Sequence, residues 1–368
     1  MLQLSVGARL RVSPFYGPSL AAGLSHVSVY NRMLMPTSYG DPLAEYWCLI
    51  ERVSLWDVAV ERQVQLEGPD AAVLAQLLSA RDLSKCWIGQ GRYAPICNHD
   101  GILINDPVVL RLRDDLFWFS IADSDLLLWA KAVAGERGLN VKVTEPDVSP
   151  LAVQGPKAND VVADVVGDWV RDLKLFAFRE TEIEGIPVVL ARSGWSKQGG
   201  FEIYLMDSAR GPELWNYFWE AGEPYGIGPG GPNSIERVES GLLSYGADTD
   251  DKTTPFEAGM GPFVSLSPDV DYIGKEALMR EHNQGPKRQR VGLVIDGPPL
   301  PAPSPGKWTV LDGHDDIGFA GSVVYSPRLD QNIAVAQIRT EFAETGQNLS
   351  VYAPEGVRDA VVTPLPFI

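Results

Sequence analysis

The segment Arg192–Tyr204, which reads RSGWSKQGGFEIY, is the most informative stretch of this chain. It places an indole and two adjacent glycines, Gly199 and Gly200, directly before a strand with alternating apolar residues. Glycine lets a backbone approach a flat molecule closely because it has no Cβ. The strand also carries Glu202, and a carboxylate is costly to bury unless donors surround it. The segment therefore predicts either a glycine turn with an exposed edge glutamate or a site for a flat ligand rich in N–H donors.

The composition is typical of a soluble globular protein with an acidic surface. The chain has 368 residues, of which 45% are hydrophobic, and its formal net charge is −17. This length predicts two or three core units. The negative charge argues against a nucleic-acid partner, because phosphate binding requires a basic surface. The chain has no apolar run long enough for a signal peptide or a membrane helix, so no membrane partner is expected.

The cysteines and histidines indicate a reducing compartment and no metal centre. Three cysteines, an odd number without paired spacing, are typical of a cytoplasmic protein. The four histidines are scattered along the chain without the spacing of metal ligands. We therefore expect a cytoplasmic protein without a bound metal.

Local turn and helix signals predict the elements of the first part of the chain. Residues 1–25 are rich in glycine, proline and serine and indicate an extended arm. Asp41 followed by proline predicts the start of a helix. The turn Asn98–Gly101 predicts a hairpin. A similar order of strand, helix and hairpin begins near Ser149, which indicates a pseudo-repeat.

The last part of the chain has a different pattern. A stretch rich in glycine and proline, 222–232, predicts a separator before a helix over 233–243. From Arg290 onward, short apolar runs alternate with turn residues, which is typical of a small barrel or sandwich. The predicted divisions are an α+β region 1–285, with subdomains of about 1–148 and 149–285, and a C-terminal β domain 286–368.

Blocks of sequence on both sides of the glycine segment occur in a fixed order. They are Gly89–Tyr93, Gly101–Pro107, Ser149–Ala158, Ile235–Gly246 and Pro255–Gly261. With these blocks the chain resembles the glycine cleavage T-protein (aminomethyltransferase) superfamily from about residue 25 to about residue 285. Members of that superfamily bind tetrahydrofolate and move one-carbon units. The resemblance implies an α+β fold of three subdomains arranged like a cloverleaf, with a C-terminal β-barrel and a central folate channel.

Within the superfamily, the chain most resembles the branch of dimethylsulfoniopropionate demethylases. The stretches that carry this resemblance are Val29–Leu34, Trp56–Val58, Glu61–Val64, Ile104–Pro107 and Ser193–Gly200. The aminomethyltransferases proper usually have Asp-Asp where this chain has Asn105-Asp106, and Tyr-Thr-Gly where it has Trp195-Ser196-Lys197. Both departures lie at the substrate end of the family's site. They argue for a substrate other than the aminomethyl lipoyl arm derived from glycine.

The resemblance implies a tetrahydrofolate-dependent demethylase whose partner is a small-molecule methyl donor. It would transfer a methyl group from dimethylsulfoniopropionate to N5 of tetrahydrofolate, giving methylmercaptopropionate and 5-methyltetrahydrofolate. One alternative keeps folate and changes the donor to a betaine, another methylated amine or a methoxy aromatic. A second alternative is a folate-binding regulatory protein without methyl transfer. In each case we expect a monomer or a homodimer.

The same resemblance implies which residues bind the cofactor. Glu202 would anchor the pterin, and Tyr93 would line its channel. Arg237 would pair with a carboxylate of the cofactor, although its sequence position is equally that of a surface helix. The adjacent Gly199 and Gly200 complete the predicted cofactor-binding set.

Two residues are predicted to be catalytic. Asp106 would orient the reactants or accept the proton that N5 loses, and its alternative role is that of a turn aspartate. Tyr204 is the second.

A methylated cation cannot donate strong hydrogen bonds, so proteins hold it against the faces of aromatic rings. The alternative roles are core packing for a single aromatic residue and a solvated charge for a loop lysine. The predicted substrate-binding residues are Tyr30, Trp195, Phe176, Phe178 and Lys197.

Overall fold

The computed structural model describes residues 7–368. The α-helices of this part are α1 (Tyr16–Ala21), α2 (Pro42–Glu51), α3 (Ala71–Leu78), α4 (Leu126–Glu136), α5 (Ala158–Val166), α6 (Gly211–Gly222), α7 (Ser234–Glu239) and α8 (Lys275–Gln284). Short 3₁₀ helices lie at Asp168–Asp172, Ser208–Arg210, Glu223–Tyr225, Gly261–Phe263 and Thr340–Phe342. Over residues 7–368, no helix combines the length and the apolar composition needed to cross a membrane.

The strands fall into four sheets and one barrel. They are β1 (His26–Tyr30), β2 (Met33–Ser38), β3 (Val53–Asp57), β4 (Gln63–Glu67), β5 (Gln90–Tyr93), β6 (Ile96–Cys97), β7 (Leu103–Asn105), β8 (Val108–Arg113), β9 (Leu116–Ser120), β10 (Lys142–Thr144), β11 (Ser149–Gln154), β12 (Phe178–Ile183), β13 (Ile186–Ala191), β14 (Gly200–Leu205), β15 (Ile227–Gly230), β16 (Arg288–Ile295), β17 (Trp308–Asp312), β18 (Asp315–Ser326), β19 (Gln331–Arg339), β20 (Asn348–Ala353) and β21 (Gly356–Thr363).

The chain forms two compact units that interleave along the sequence. The first unit comprises the chain up to residue 74 together with 86–92 and 108–233. The second comprises 75–85, 93–107 and 234–368. The predicted divisions after residues 148 and 285, which follow the chain in order, stay predictions.

A six-stranded mixed sheet in the order β12-β13-β14-β11-β3-β15 forms the centre of the first unit. Its apolar side chains pack against α5 and α6 in one large core. The prediction that 222–232 is only a separator is partly wrong, because Ile227–Gly230 is a strand that pairs in parallel with β3. Glycine and proline are uncommon inside strands, so the composition of this stretch does not indicate one. The partner strand β3 also lies too far away in sequence for a local pattern to indicate the pairing.

A second sheet of this unit has the order β10-β4-β9-β8-β5. It meets the first sheet at an aromatic contact, in which the ring centroids of Trp118 on β9 and Tyr204 on β14 lie 6.4 Å apart. Ser120, at the end of β9, pairs with Gln63 at the start of β4. The contact between β9 and β14 is where the polar site of this unit lies.

The N-terminal arm is more ordered than its composition predicts. Residues 1–6 lie outside the described part, but the arm then forms a bridge from Arg11 to Met33 and the short helix α1. Phe15 is fully buried in the core of the unit, so an aromatic side chain fixes the arm to the body. The prediction of an extended arm is therefore wrong for Tyr16–Ala21. The helix predicted after Asp41 is present, and the Asp41 side chain caps it by accepting from the Ala44 amide.

The second unit contains the predicted barrel. Strands β16 to β21 close in the order β16-β19-β18-β17-β20-β21, and their inward apolar residues form a separate core. The β-barrel prediction is thereby confirmed. The hairpin predicted around Asn98–Gly101 is also present, with β6 paired antiparallel to β7. Helix α7 packs against β18 and β19 of the barrel.

Candidate functional site

Strand β14 presents two polar side chains on one face, because residues two apart in a strand point the same way. Glu202 is only 5% exposed, and its Oε2 accepts hydrogen bonds from Ser193 Oγ at 2.5 Å and Tyr204 Oη at 3.0 Å. Burial raises the pKa of Glu202, whereas these two donors lower it. Both contacts are made by Oε2, so Oε1 can accept further donors from a ligand.

A second carboxyl group, Glu61, lies beside Glu202. Burial and then the charge of Glu202 raise the pKa of Glu61 well above its usual value, and a hydrogen bond from Ser120 lowers it. Gln63 Nε2 donates to Ser120 Oγ at 2.9 Å. Burial and the two carboxylates raise the pKa of Tyr204. No sequence pattern marks Glu61 as a site residue, although Glu61–Val64 is one of the stretches that carry the family resemblance.

The glycine segment has a structural explanation for one of its two adjacent glycines. Gly200 has a φ of 149°, and a Cβ there would lie 2.4 Å from the Val153 carbonyl oxygen on the neighbouring strand β11. Gly199 has a φ of 81°, but a Cβ there would meet no described atom within 4 Å. Ser196 Oγ donates to Gln154 Oε1 at 2.7 Å and fixes the loop to β11. The cofactor-binding roles of both glycines stay predictions.

The two phenylalanines predicted to bind the substrate lie at the start of β12 and just before it. Phe178 is buried in a hydrophobic cluster with Tyr204 and Trp118. Phe176 is half-buried with a φ of 60°, and its carbonyl accepts from the Gly91 amide at 2.6 Å. The structure thus groups Phe178 with Tyr204, while the role of either ring toward a substrate stays a prediction.

The other predicted substrate residues of this unit are more accessible. Tyr30 ends β1 and is half-buried against the main core. Trp195 is partly exposed, and Lys197 is exposed in the same loop with a φ of 50°. A partly exposed indole is available to a ligand, so the substrate-binding prediction stays open for Trp195 in particular.

The second unit holds the other predicted catalytic residue. Tyr93 Oη donates to Asp106 Oδ2 at 2.7 Å. Asp106 Oδ1 is buried and has no hydrogen-bond partner among residues 7–368. Burial raises the pKa of Asp106 to about 6, although the Tyr93 hydrogen bond lowers it. A buried carboxyl with an unsatisfied oxygen is a poor structural element and is typical of a functional site.

The surroundings of Tyr93 combine aromatic, sulfur and cationic groups. Its ring meets Phe263 edge to face with centroids 5.2 Å apart, and its hydroxyl lies 3.9 Å from Met260 Sδ. Burial lowers the pKa of Arg290, and the charge of Asp248 and then the nearby Tyr93 raise it. Arg290 also donates to the Gly241 carbonyl at 3.0 Å. Sequence reasoning missed Arg290, because its position at the start of the barrel has no local pattern that indicates a site.

Arg237 does not lie on a surface helix, so that alternative is wrong. Its side chain is buried, Nη1 lies 2.7 Å from Asp248 Oδ2, and Nη2 donates to Ser322 Oγ. Ser322 Oγ donates in turn to Asp248 Oδ1 at 2.7 Å. A buried ion pair of this kind holds α7 against the barrel. The predicted pairing of Arg237 with a cofactor carboxylate stays a prediction.

Comparison with known proteins identifies the class to which this fold belongs. Residues 18–268 match the family model of the GCVT N-terminal domain, and residues 288–368 match that of the glycine cleavage T-protein C-terminal barrel domain. The chain therefore belongs to the glycine cleavage T-protein family, as its sequence blocks predict.

Individual relatives narrow the position of the chain within that family. It is 44% identical to the dimethylsulfoniopropionate demethylase DmdA of Ruegeria pomeroyi over 98% of both chains. It is 30% identical to the aminomethyltransferase of Symbiobacterium thermophilum over 97% of both chains. The crystal structure of aminomethyltransferase T from Bartonella henselae superposes with a TM-score of 0.86 over 98% of both chains at 24% identity, which confirms the predicted aminomethyltransferase-type fold.

Proposed function

We propose that this protein is a tetrahydrofolate-dependent demethylase that transfers a methyl group from dimethylsulfoniopropionate to tetrahydrofolate. The observation that carries the proposal is the 44% identity to a dimethylsulfoniopropionate demethylase along the whole chain. Identity to aminomethyltransferases of similar length is 28–30%. The products would be methylmercaptopropionate and 5-methyltetrahydrofolate.

The residues of the first unit fit the pterin of a folate. A pterin presents a row of ring N–H and amino donors, and Glu202 offers a buried carboxylate whose Oε1 faces no described donor. Ser193 and Tyr204 already hold Oε2, so the carboxylate is oriented before a ligand binds. Such preorganisation reduces the cost of ordering the site on binding.

The chemistry needs little acid catalysis from the protein. Tetrahydrofolate, when bound, would supply the nucleophile N5 that takes the methyl group, and the C–S bond would break with its electron pair left on sulfur as a neutral thioether. Because that leaving group needs no proton, the task of the protein is to position the reactants, which contributes roughly 7–11 kcal/mol in well-oriented systems.

Asp106 is the residue proposed to orient the reactants or to take the proton released from N5. Its carboxyl has a pKa of about 6, so it is mainly ionised and able to accept a proton at neutral pH. Trp195 and Tyr30 are proposed to contact the sulfonium cation through their ring faces.

The test is an anaerobic incubation of the protein with tetrahydrofolate and a panel of methyl donors. The panel contains dimethylsulfoniopropionate, glycine betaine and a methoxy aromatic acid. We expect equal amounts of 5-methyltetrahydrofolate and methylmercaptopropionate with the first donor only. Turnover of another donor instead would transfer the proposal to that donor, and folate binding without turnover of any donor would favour a regulatory protein.

A further inference from the structure

One cavity of the first unit is lined almost entirely by arginines. It has a volume of about 530 Å³, and the described residues that line it are Ala8, Arg9, Arg11, Arg32 and Arg62. No carboxylate is among these lining residues. The chain as a whole has a formal net charge of −17, so four guanidinium groups around one cavity are a strong local departure from the rest of the protein. Like charges repel each other, and an anion between them would relieve that repulsion.

The backbone of the N-terminal arm brings these arginines together. The Arg11 amide donates to the Arg32 carbonyl at 2.9 Å, and the Leu34 amide donates to the Arg11 carbonyl at 3.0 Å. These two hydrogen bonds hold the arm beside the start of β2. A turn over residues 7–10 then places Arg9 at the same cavity. The cavity is therefore a product of how the arm packs on the body of the unit.

The carboxylates that contact these arginines leave part of the positive charge unbalanced. Glu145 Oε1 lies 2.6 Å from Arg11 Nη1 and 2.8 Å from Arg62 Nε, so one carboxylate serves two guanidinium groups. Asp125 Oδ1 lies 3.5 Å from Arg32 Nη2, and both side chains of this pair are largely exposed, so the pair is weak. The Arg9 side chain makes no ion pair within residues 7–368. Arg9 and Arg32 can therefore donate to a ligand.

Arg32 occupies a backbone position that favours glycine. Strands β1 and β2 are joined by the two-residue turn Asn31-Arg32, in which φ is 49° and then 60°. The hairpin of β12 and β13 has a turn of the same length, Glu184-Gly185, in which φ is 48° and then 74°. Turns with two positive φ angles favour glycine at the second position, and a larger residue there costs backbone energy. The second hairpin has that glycine, whereas the first places a guanidinium group at the cavity.

We propose that this arginine cavity binds a small polyanion, a molecule with two or more carboxylate or phosphate groups. Guanidinium groups recognise both kinds of group through paired N–H donors. The volume of the cavity is that of a small-molecule site. The acidic character of the whole chain disfavours a large polyanion such as nucleic acid. Arg32 is retained at a strained position because the ligand needs its charge.

The direct test is calorimetric titration with inorganic pyrophosphate. We expect the wild type to bind one equivalent in a buffer of low ionic strength, and binding to weaken as sodium chloride is added. Arg32→Gly removes one guanidinium group and should raise the Kd by about 3- to 10-fold. Arg113→Gln, at an exposed arginine that ends β8, is the matched control and should keep the wild-type Kd. No saturable binding by the wild type, or equal weakening in both variants, would overturn the proposal.

Thermal unfolding separates a binding role of Arg32 from a structural one. Glycine relieves both the unfavourable φ and the repulsion between arginines, so Arg32→Gly should melt at a higher temperature than wild type without anion. Pyrophosphate should then raise the melting temperature of the wild type more than that of the variant. Gly185→Arg, at the equivalent position of the other hairpin, should lower the melting temperature and leave the pyrophosphate effect unchanged. A lower melting temperature of Arg32→Gly without anion would make Arg32 a structural residue and overturn the proposal.

A comparison of folates identifies the source of the anionic groups. They can belong to a free polyanion or to the glutamate tail of a folate, and the second case rests on the proposed function. If the tail is the source, the wild type should bind tetrahydrofolate pentaglutamate more tightly than the monoglutamate, and Arg32→Gly should lose that preference. Equal binding of both folates by both proteins assigns the cavity to a free polyanion. Failure of the wild type to bind either folate would count against the proposed function and leave the pyrophosphate result valid.

Discussion

Two buried carboxyl groups, one in each unit, differ in how their oxygens are satisfied. Glu202 in the first unit accepts from two side-chain donors, and a second carboxyl group, Glu61, lies beside it. Asp106 in the second unit accepts from the Tyr93 hydroxyl, and its other oxygen has no partner among residues 7–368. The first carboxyl is therefore fixed in one orientation, and the second, with a pKa of about 6, can change its protonation state near neutral pH.

From this difference we propose that Glu202 serves binding and Asp106 serves the chemical step. A carboxylate that is held by two donors on one oxygen is fixed in orientation, and its other oxygen can recognise donors at fixed positions. A carboxyl with a pKa of about 6 and an unsatisfied oxygen is close to the pH at which proton transfer is efficient. We expect substitutions at Glu202 to change folate affinity and substitutions at Asp106 to change turnover.

A large effect is expected from Glu202→Gln. The neutral amide loses the charge that strengthens hydrogen bonds to ligand donors, so the Kd for tetrahydrofolate should rise by about 10- to 100-fold. Tryptophan fluorescence quenching or calorimetry measures it. Glu180→Gln is the control for a lost surface charge. A change of less than about threefold in Kd would contradict the binding role of Glu202, since even one charge-assisted hydrogen bond is worth more.

The next effect is that of Asp106→Asn on turnover. If Asp106 accepts the proton from N5, its loss should lower kcat by about 100-fold, a typical value for general-base catalysis. The wild-type rate should fall as the pH drops through about 6, because the ionised form is the active one and protonation removes it. The variant should lack this limb. Undiminished turnover would remove Asp106 from the chemistry.

Stability separates damage to folding from damage to chemistry in that variant. The pKa of Asp106 is raised to about 6 in the folded protein, so its stabilising contribution is complete below the unfolded value and is lost as the pH rises through 6. Asp106→Asn should therefore melt at a higher temperature than wild type at pH 8. A variant that is both less active and less stable at pH 8 would point to misfolding.

A smaller effect is expected at Trp195, which is partly exposed. Removal of one ring face from a cation costs about 0.5–2 kcal/mol, so Trp195→Ala should raise the KM for the methyl donor by about 2- to 30-fold. Folate affinity should stay within about twofold if the indole contacts only the donor. Trp87→Ala, at an exposed tryptophan of the same unit, is the matched control. An unchanged KM would exclude Trp195 from donor binding.

The smallest effect concerns Tyr93→Phe. The Tyr93 hydroxyl lowers the pKa of Asp106, so its removal should move the acidic limb of the rate profile to higher pH by about half a unit to one unit. The control is Tyr272→Phe, which removes a buried hydroxyl that donates to the Ser265 carbonyl in the same unit. A limb that stays in place would mean that Tyr93 does not set the protonation of Asp106.

Local patterns in the sequence predict the elements that local interactions determine. The Asp41 cap, the turn Asn98–Gly101 and the alternating strand Gly200–Leu205 are all present, because each depends on neighbours within a few residues. The strand Ile227–Gly230 was not predicted, because its parallel partner β3 lies in a distant part of the chain.

The site shows the same limit. Glu202 and Asp106 were predicted as site residues because family motifs mark them, and their roles stay predictions. Glu61 could not be predicted, because the surroundings of its carboxyl group depend on Ser120 and Tyr204, which lie on strands of two different sheets. Arg237 was assigned to a cofactor or to a surface helix, but its burial depends on Asp248 and Ser322, far apart in sequence. Polar networks between sheets are set by tertiary packing and leave no periodic signal.

The central claim, direct transfer of an intact methyl group to folate, is tested by a single turnover with dimethylsulfoniopropionate labelled with deuterium in both S-methyl groups. The protein, in excess over the donor, is mixed with tetrahydrofolate and this donor under anaerobic conditions. The mass of the folate product is then measured by mass spectrometry. Direct transfer predicts 5-methyltetrahydrofolate that carries three deuterium atoms, with one equivalent of methylmercaptopropionate. A folate product with two deuterium atoms, or no labelled folate product, would contradict it.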